Sequence, residues 1–389
     1  MTERTAPAAP EVPVSAPRIR DVDALRGFAL LGILLVNVQV MADPYMGQGP
    51  YHSVGERVAA WLVTALVSSK FYLLFAFLFG YSFTLQARSA ERDEAGFAGR
   101  QLRRLLCLFV LGVAHAVLLF PGDILMTYAV LGLVLFAARG LAPRRAMCGA
   151  VGLVVALAVL LLGSGLLALS TTDTPAPEAA IVTAAHGGDP VSVVHANLRQ
   201  WHELLAGDVL YAPHILAAFL VGLAAGKRRL LAEFGRYRAQ TKRLVTYGLP
   251  LGLAGALCSA LCRNGPLDAR WYDIGAAVGV VTAPALTAAY GCGLLLLLRT
   301  RHGRRIGTVL AAAGRMALTN YLTQSLVMAL VFTGYGLALY GRVGMVAVLA
   351  GCFVLYAAQL ALSVWLMRRF RRGPVERLLH TVTRGRSAV

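Results

Sequence analysis

Long apolar runs, separated by short charged or turn-rich segments, make up most of this chain. A run of about 20 residues, coiled as an α-helix, crosses the roughly 30 Å hydrocarbon core of a bilayer. The pattern predicts ten helices, over residues 24–41, 58–86, 102–120, 123–139, 146–169, 209–226, 243–262, 274–298, 314–337 and 343–367. The expected fold class is therefore all-α, a polytopic integral membrane helix bundle. Residues 1–17, rich in Pro and Ala, lack the apolar core of a secretory signal and read as a disordered tail. The bundle itself occupies 18–372, and 373–389 form a C-terminal tail. The longest connection, 170–208, is expected as an outer loop that ends in an amphipathic stretch, VSVVHANLRQWHELLAG.

Composition agrees with this pattern. Hydrophobic residues are 58% of the chain and charged residues 14%, against about 25% charged in soluble domains. The formal charge of +18 raises the question of nucleic acid, and its distribution answers it. With the N-terminus placed in the cytoplasm, 29 of the 37 Lys and Arg fall in inner segments and five in outer ones. That asymmetry is the positive-inside signature. It puts both termini in the cytoplasm, suits contact with anionic lipid, and leaves no charge to be explained by nucleic acid. The six cysteines form no C-x-x-C pair. No metal site is expected, and no HExxH, GxSxG or phosphate-loop motif stands in a plausible context.

Polar side chains inside spans are costly, so each is either a functional group or interhelical glue. Asp23 and Arg26 stand at the inner mouth of the first span, spaced to pair. Asn37 is eleven residues beyond Arg26, three helical turns, and so on the same face. Lys70 interrupts the second run. His115 and Asp123 flank a Pro-Gly turn in AHAVLLFPGDIL, expected at the outer membrane edge with His115 roughly 7–8 Å deep. Asp123 either caps the following helix or approaches His115 and fixes its tautomer, as suits a general base. Arg315, Asn320 and Gln324 share one side of the ninth span, and two arginines (Arg26, Arg315) in an inner polar set would suit an anionic ligand. His52 stands in the first outer loop.

Five segments carry a resemblance: DVDALRGFALLGILLVNV, KFYLLFAFLFGYSF, GVAHAVLLFPGDILMTYAVLG, GRMALTNYLTQSL and GPVERLLHTVT. Together they resemble the bacterial YeiB family, defined by domain of unknown function 418, over residues 18–383. The VDALRG opening is also similar to that of transmembrane acyltransferases acting on sugars. Where the sugar O-acyltransferases carry a histidine, this chain has Asn37, so a base at that position is not available. The lysosomal relative's active histidine, in the loop after the first helix, would point to His52; the AHxxL…GDIL segment points to His115. The resemblance implies a multi-pass bacterial plasma-membrane protein. As an acyltransferase it would move an acyl group from a cytoplasmic acyl-CoA co-substrate to an outward-facing or membrane-embedded hydroxyl or amine, with a glycan or small molecule as acceptor and no tightly bound cofactor. His115, Asp123 and His52 are then the catalytic candidates. Asp23, Arg26, Asn37, Lys70, Arg315, Asn320 and Gln324 are the substrate-binding candidates. A small-molecule transporter, or a non-catalytic structural membrane protein, is the alternative.

Overall fold

The computed structural model describes residues 20–46, 49, 51–92, 96–170 and 185–384. Thirteen α-helices are described: α1 Arg20–Ala42, α2 Val54–Leu66, α3 Lys70–Arg92, α4 Phe97–Leu118, α5 Leu125–Ala137, α6 Pro143–Ala168, α7 Pro190–Lys227, α8 Arg238–Asn264, α9 Tyr272–Leu297, α10 Arg301–Arg315, α11 Ala317–Phe332, α12 Met345–Arg369 and α13 Pro374–Arg384. There is no strand among the described residues. Eight helical segments are long and apolar enough to cross a membrane, with α2 and α3 counted as one; α5 with its trailing turn and α11 are shorter apolar helices. The all-α bundle expected from the apolar runs is thus present. The tail expected at 1–17 lies outside the described residues.

Local chemistry sets the ends of these helices. Ser53 caps α2 by accepting from Glu56 N, which satisfies a free N–H of the first turn, and the Glu56 carboxylate reaches back to accept from His52 N just ahead of the cap. Asp189 caps α7, accepting from Ser192 N at 2.7 Å, with Pro190 at the first helical position. This start makes α7 a single 38-residue helix. The expected loop 170–208 is corrected accordingly: its amphipathic end, from Pro190 onward, is helix continuous with the span. Two further helices were read as connection or tail. Thr300 caps α10, and α13, within the segment read as the C-terminal tail, packs an amphipathic face on α4 and α11.

Side chains facing outward are largely apolar. On α6, Val151, Val155, Val159, Leu162 and Leu166 form one exposed stripe, tolerable in lipid and a liability in water. In lipid the hydrophobic effect between helices vanishes, so close packing and interhelical hydrogen bonds must hold the bundle together. Glycines supply the first. A Cβ at Gly27 would overlap the Leu310 carbonyl and one at Gly314 the Asp23 carbonyl, so α1 and α10 touch backbone to backbone. Gly80 against Phe219 and Gly222 against Phe77 do the same for α3 and α7. Buried amides supply the second: Gln324 Nε2 donates to Gln359 Oε1 at 2.8 Å, Gln359 Nε2 to Asn320 O at 3.0 Å, and Asn320 Nδ2 to Ser363 Oγ at 3.0 Å, joining α11 to α12.

The two ends of the bundle differ in charge. The starts of α1 and α10 and the ends of α9 and α12 converge on a basic face, where Arg299 pairs with Asp21 and Arg315 donates to Arg371 O. On the far face Gly341 N, beyond α11, donates to Ala42 O at the end of α1 at 2.9 Å, and Gly334 N donates to His186 O, ahead of α7, at 2.8 Å.

Candidate functional site

The α4–α5 hairpin carries the pair singled out in the sequence. Its turn was expected at the outer edge of the bundle. Thirteen residues make α5 only about 20 Å long, short of a bilayer core. The turn itself is packed under neighbouring helices: Phe120 and Asp123 are each 2% exposed. From α7, Asn197 Nδ2 donates to Val117 O at 3.1 Å across the turn, and α11 contributes Tyr321. The hairpin closes tightly because Gly112 has no side chain. A Cβ there would stand 2.5 Å from Met126 N and 2.6 Å from Asp123 Oδ2.

His115 Nδ1 lies 2.8 Å from Asp123 Oδ1, and both side chains are 1% exposed. The two readings of Asp123 turn out to be compatible, one per oxygen. Oδ2 accepts from Met126 N at 2.9 Å and caps α5, while Oδ1 takes His115 and also accepts the Tyr321 hydroxyl at 3.3 Å. An ionised carboxylate can only accept, so Nδ1 carries a proton, and in the neutral form of the ring Nε2 is the nitrogen with the lone pair. Nε2 is buried and has no hydrogen-bond partner among the described residues. The ring of Tyr321 lies beside the imidazole, centroids 5.0 Å apart.

A cavity of about 860 Å³ runs inward from the basic face. Its mouth carries seven arginines, Arg20, Arg26, Arg88, Arg104, Arg229, Arg299 and Arg315, against three acids, Asp21, Asp23 and Glu376. Its deep end is apolar and aromatic, with Leu30, Ile33, Phe75, Leu108, Tyr128 and Tyr321. Tyr321 therefore lines the cavity and bonds the histidine–aspartate pair at once. Inside the mouth, Arg26 bonds Asp23 at 3.2 Å and the Ser82 hydroxyl. Arg104 donates to Gln86 Oε1 at 2.7 Å and lies over the Phe79 ring.

The candidates from the sequence divide on this geometry. Asp23, Arg26 and Arg315 line the cavity. Asn320 and Gln324 do not; they belong to the amide chain between α11 and α12, the glue reading. Lys70 is buried at the start of α3, donating to Thr64 O at 3.0 Å. Asn37 is half-buried and outside the cavity lining. His52 is exposed at the start of α2, on the far face. Tyr321 and Arg104 enter as new members. Tyr321 follows Asn320 directly, and nothing in the local sequence separates it from a packing ring. Arg104 was counted among connecting charges because the start of α4 was read as loop. His214, also buried, has its Nδ1 3.0 Å from the Tyr72 hydroxyl and carries no sequence signal of its own.

The fold and this cavity define a polytopic α-helical membrane protein with a deep, basic-mouthed chamber. Residues 225–386 match the family described as protein of unknown function (DUF418). The chain is 31% identical to the uncharacterized protein YxaH of Bacillus subtilis strain 168, over 94% of each chain. It is 30% identical to an uncharacterized 39.9 kDa protein encoded in an amylase 3′ region of Bacillus acidopullulyticus, over 95% of this chain and 94% of that one. With the uncharacterized protein YeiB of Escherichia coli K12 the identity is 29%, over 93% of this chain and 95% of the relative. The chain belongs to the DUF418 family, which includes YeiB.

Proposed function

We propose that this protein is a plasma-membrane acyltransferase that takes an acyl group from a cytoplasmic coenzyme A thioester and delivers it to a hydroxyl or amine presented from the membrane or the outer side. The observation that carries the reading is the sealed His115–Asp123 pair one side chain beyond the closed end of an arginine-mouthed cavity. The mouth suits the phosphates of the donor, since guanidinium groups bind phosphate oxygens in paired hydrogen bonds. The apolar deep end suits an acyl chain. His115 Nε2 takes the proton of the acceptor O–H or N–H as the acceptor atom attacks the thioester carbonyl. The C–S bond breaks, and the imidazolium returns the proton to the leaving thiolate. Asp123 holds the ring and stabilises the imidazolium between these steps. His52, on the far face and bonded into the α2 cap, is not assigned this role.

The test is calorimetric titration of the detergent-purified protein with acetyl- and long-chain acyl-CoA, paired with release of free thiol in the presence of cell-envelope extract as acceptor source. Arg26→Ala is expected to weaken donor binding about tenfold, the size of a lost charge-assisted hydrogen bond. His115→Ala is expected to bind normally and release no thiol. Absence of binding by folded wild-type protein, or unchanged thiol release by His115→Ala, overturns the proposal. The first of these outcomes would favour transport of an anion through the same mouth.

A further inference from the structure

Of the seven arginines at the chamber mouth, five are committed to groups of the protein. Arg26 and Arg299 pair with Asp23 and Asp21. Arg20, Arg88 and Arg315 donate to backbone carbonyls, Arg88 to Gly226 O and Lys227 O at 3.1 Å each. Arg104 and Arg229 are the remaining two, and among the described residues neither is paired with a carboxylate. Arg104 is half-buried and meets the neutral amide of Gln86 and the face of Phe79, neither of which carries a full negative charge. The Arg229 guanidinium makes no hydrogen bond among the described residues. A guanidinium stays charged in a protein and offers five N–H donors, so most of the donor capacity of this pair is open.

The backbone at Arg229 is an independent sign. The end of α7 closes in the pattern that commonly takes a glycine: Arg229 N donates to Gly226 O at 3.0 Å and Leu230 N to Ala225 O at 3.1 Å. Arg229 stands in the glycine's place with a φ of 55°, a left-handed conformation that is unfavourable for a residue with a Cβ. Of the four non-glycine residues with positive φ among those described, Arg229 is the one that lines the chamber. Local strain kept at a ligand-facing position points to function. A glycine here would relieve the backbone and remove the cation. Arg88 of α3 holds this same end of α7, and Arg104 bonds Gln86 two residues earlier on α3. Both uncommitted cations therefore stand by the last turns of α3.

We infer that Arg104 and Arg229 form an anion clamp for a diphosphate, the linking diphosphate of the thioester donor, and that Arg229 is a specificity-determining residue kept in strained backbone for this purpose. The inference rests on the donor reading above and deepens it. A diphosphate offers only acceptor oxygens and carries two negative charges, which match two guanidiniums that the protein leaves unneutralised. A single carboxylate would satisfy one of them.

The test uses the full chain in nanodiscs of zwitterionic lipid, with acetyl-coenzyme A, inorganic diphosphate and inorganic phosphate as probes. Arg229→Gly is expected to raise the melting temperature of the ligand-free protein by about 1–3 °C, because the left-handed position is relieved, and to weaken acetyl-coenzyme A binding about tenfold. Arg104→Gln is expected to weaken binding by a similar factor. Inorganic diphosphate is expected to displace acetyl-coenzyme A from wild type at roughly tenfold lower concentration than inorganic phosphate, an advantage lost in Arg229→Gly. Wild-type affinity in Arg229→Gly overturns the clamp and leaves the donor reading standing. A lowered melting temperature in that variant overturns the reading of Arg229 as a residue kept against the preference of the fold. If wild type binds no acetyl-coenzyme A but binds inorganic diphosphate, and Arg229→Gly does not, the donor reading falls and the clamp stands for another diphosphate. Binding of neither probe overturns both.

Discussion

Asp123 performs two tasks with two oxygens, and two substitutions separate them. Asp123→Ala removes both. It strips the cap from α5, costing about 1 kcal/mol. It also leaves the His115 Nδ1–H and the Tyr321 hydroxyl buried without their acceptor, at about 1–3 kcal/mol for each orphaned group. The Tyr321 bond is long at 3.3 Å, so its share lies at the low end. The sum is a loss of about 3–5 kcal/mol, the range found when one partner of a buried pair is deleted. Asp123→Asn keeps the volume. Its amide oxygen can still accept from Met126 N, so the cap survives, while its NH₂ turns to His115 Nδ1. That nitrogen must then accept, and the proton moves to Nε2, the atom proposed to act as base. The expected stability loss is about 1 kcal/mol, yet the expected fall in thioester turnover is roughly 10³–10⁴-fold, the order seen when the carboxylate behind a catalytic imidazole becomes an amide. Thermal melts in detergent, ranked wild type, then Asn, then Ala, read the first effect, and thiol release reads the second. An Asn variant as unstable as the Ala variant would refute the division of labour between the oxygens. An Asn variant with wild-type turnover would refute His115 as the base.

Two further outcomes follow from the packing. Gly112→Ala forces a methyl against Met126 N and Asp123 Oδ2, at 2.5 and 2.6 Å in the present structure. The protein is expected to lose about 1–3 kcal/mol by overpacking, visible as a lower melting temperature, together with turnover, because Asp123 is pushed from His115; a stabilised Ala variant would contradict the hairpin geometry. Gln359→Leu cuts the amide chain between α11 and α12 and is expected to cost about 0.6–2 kcal/mol for each interhelical bond lost. Donor affinity should stay at the wild-type value, and an affinity loss would return Gln324 to the binding residues.

Much of the frame was readable because membrane spans announce themselves. A lipid-facing run must be apolar throughout, and the arginines between runs report which side they face. The His115–Asp123 contact was readable for a local reason: a Pro-Gly turn brings residues eight apart into reach. The burial of that turn was not, since it depends on α7 and α11 closing over it, contacts made by residues far away in sequence. The amides of α11 illustrate a different limit. Asn320 and Gln324 present the same side-chain chemistry whether they bind a ligand or a neighbouring helix, and only the position of Gln359 and Ser363 on α12 decides between the two. The stretch now seen as α10 was split in the sequence reading between an arginine-rich connection and the head of a span. At fifteen residues it lacks the length of a span, and its close contact with α1 depends on one glycine from each helix, Gly27 and Gly314.

The glycine seams have a mechanical consequence. Helices that slide past one another do so through a cushion of side chains that can change rotamer as the interface shears. Where α1 meets α10, and where α3 meets α7, backbone rests on backbone and the cushion is missing. Residues of all four helices or their immediate ends line the chamber or its mouth: Arg26 on α1, Phe75 on α3, Gly314 on α10 and Arg229 just beyond α7. The chamber thus has stiff walls on two sides, a port of fixed bore rather than a hinge. For the proposed donor, such a port would make entry depend on what its rim attracts rather than on any rocking of the bundle.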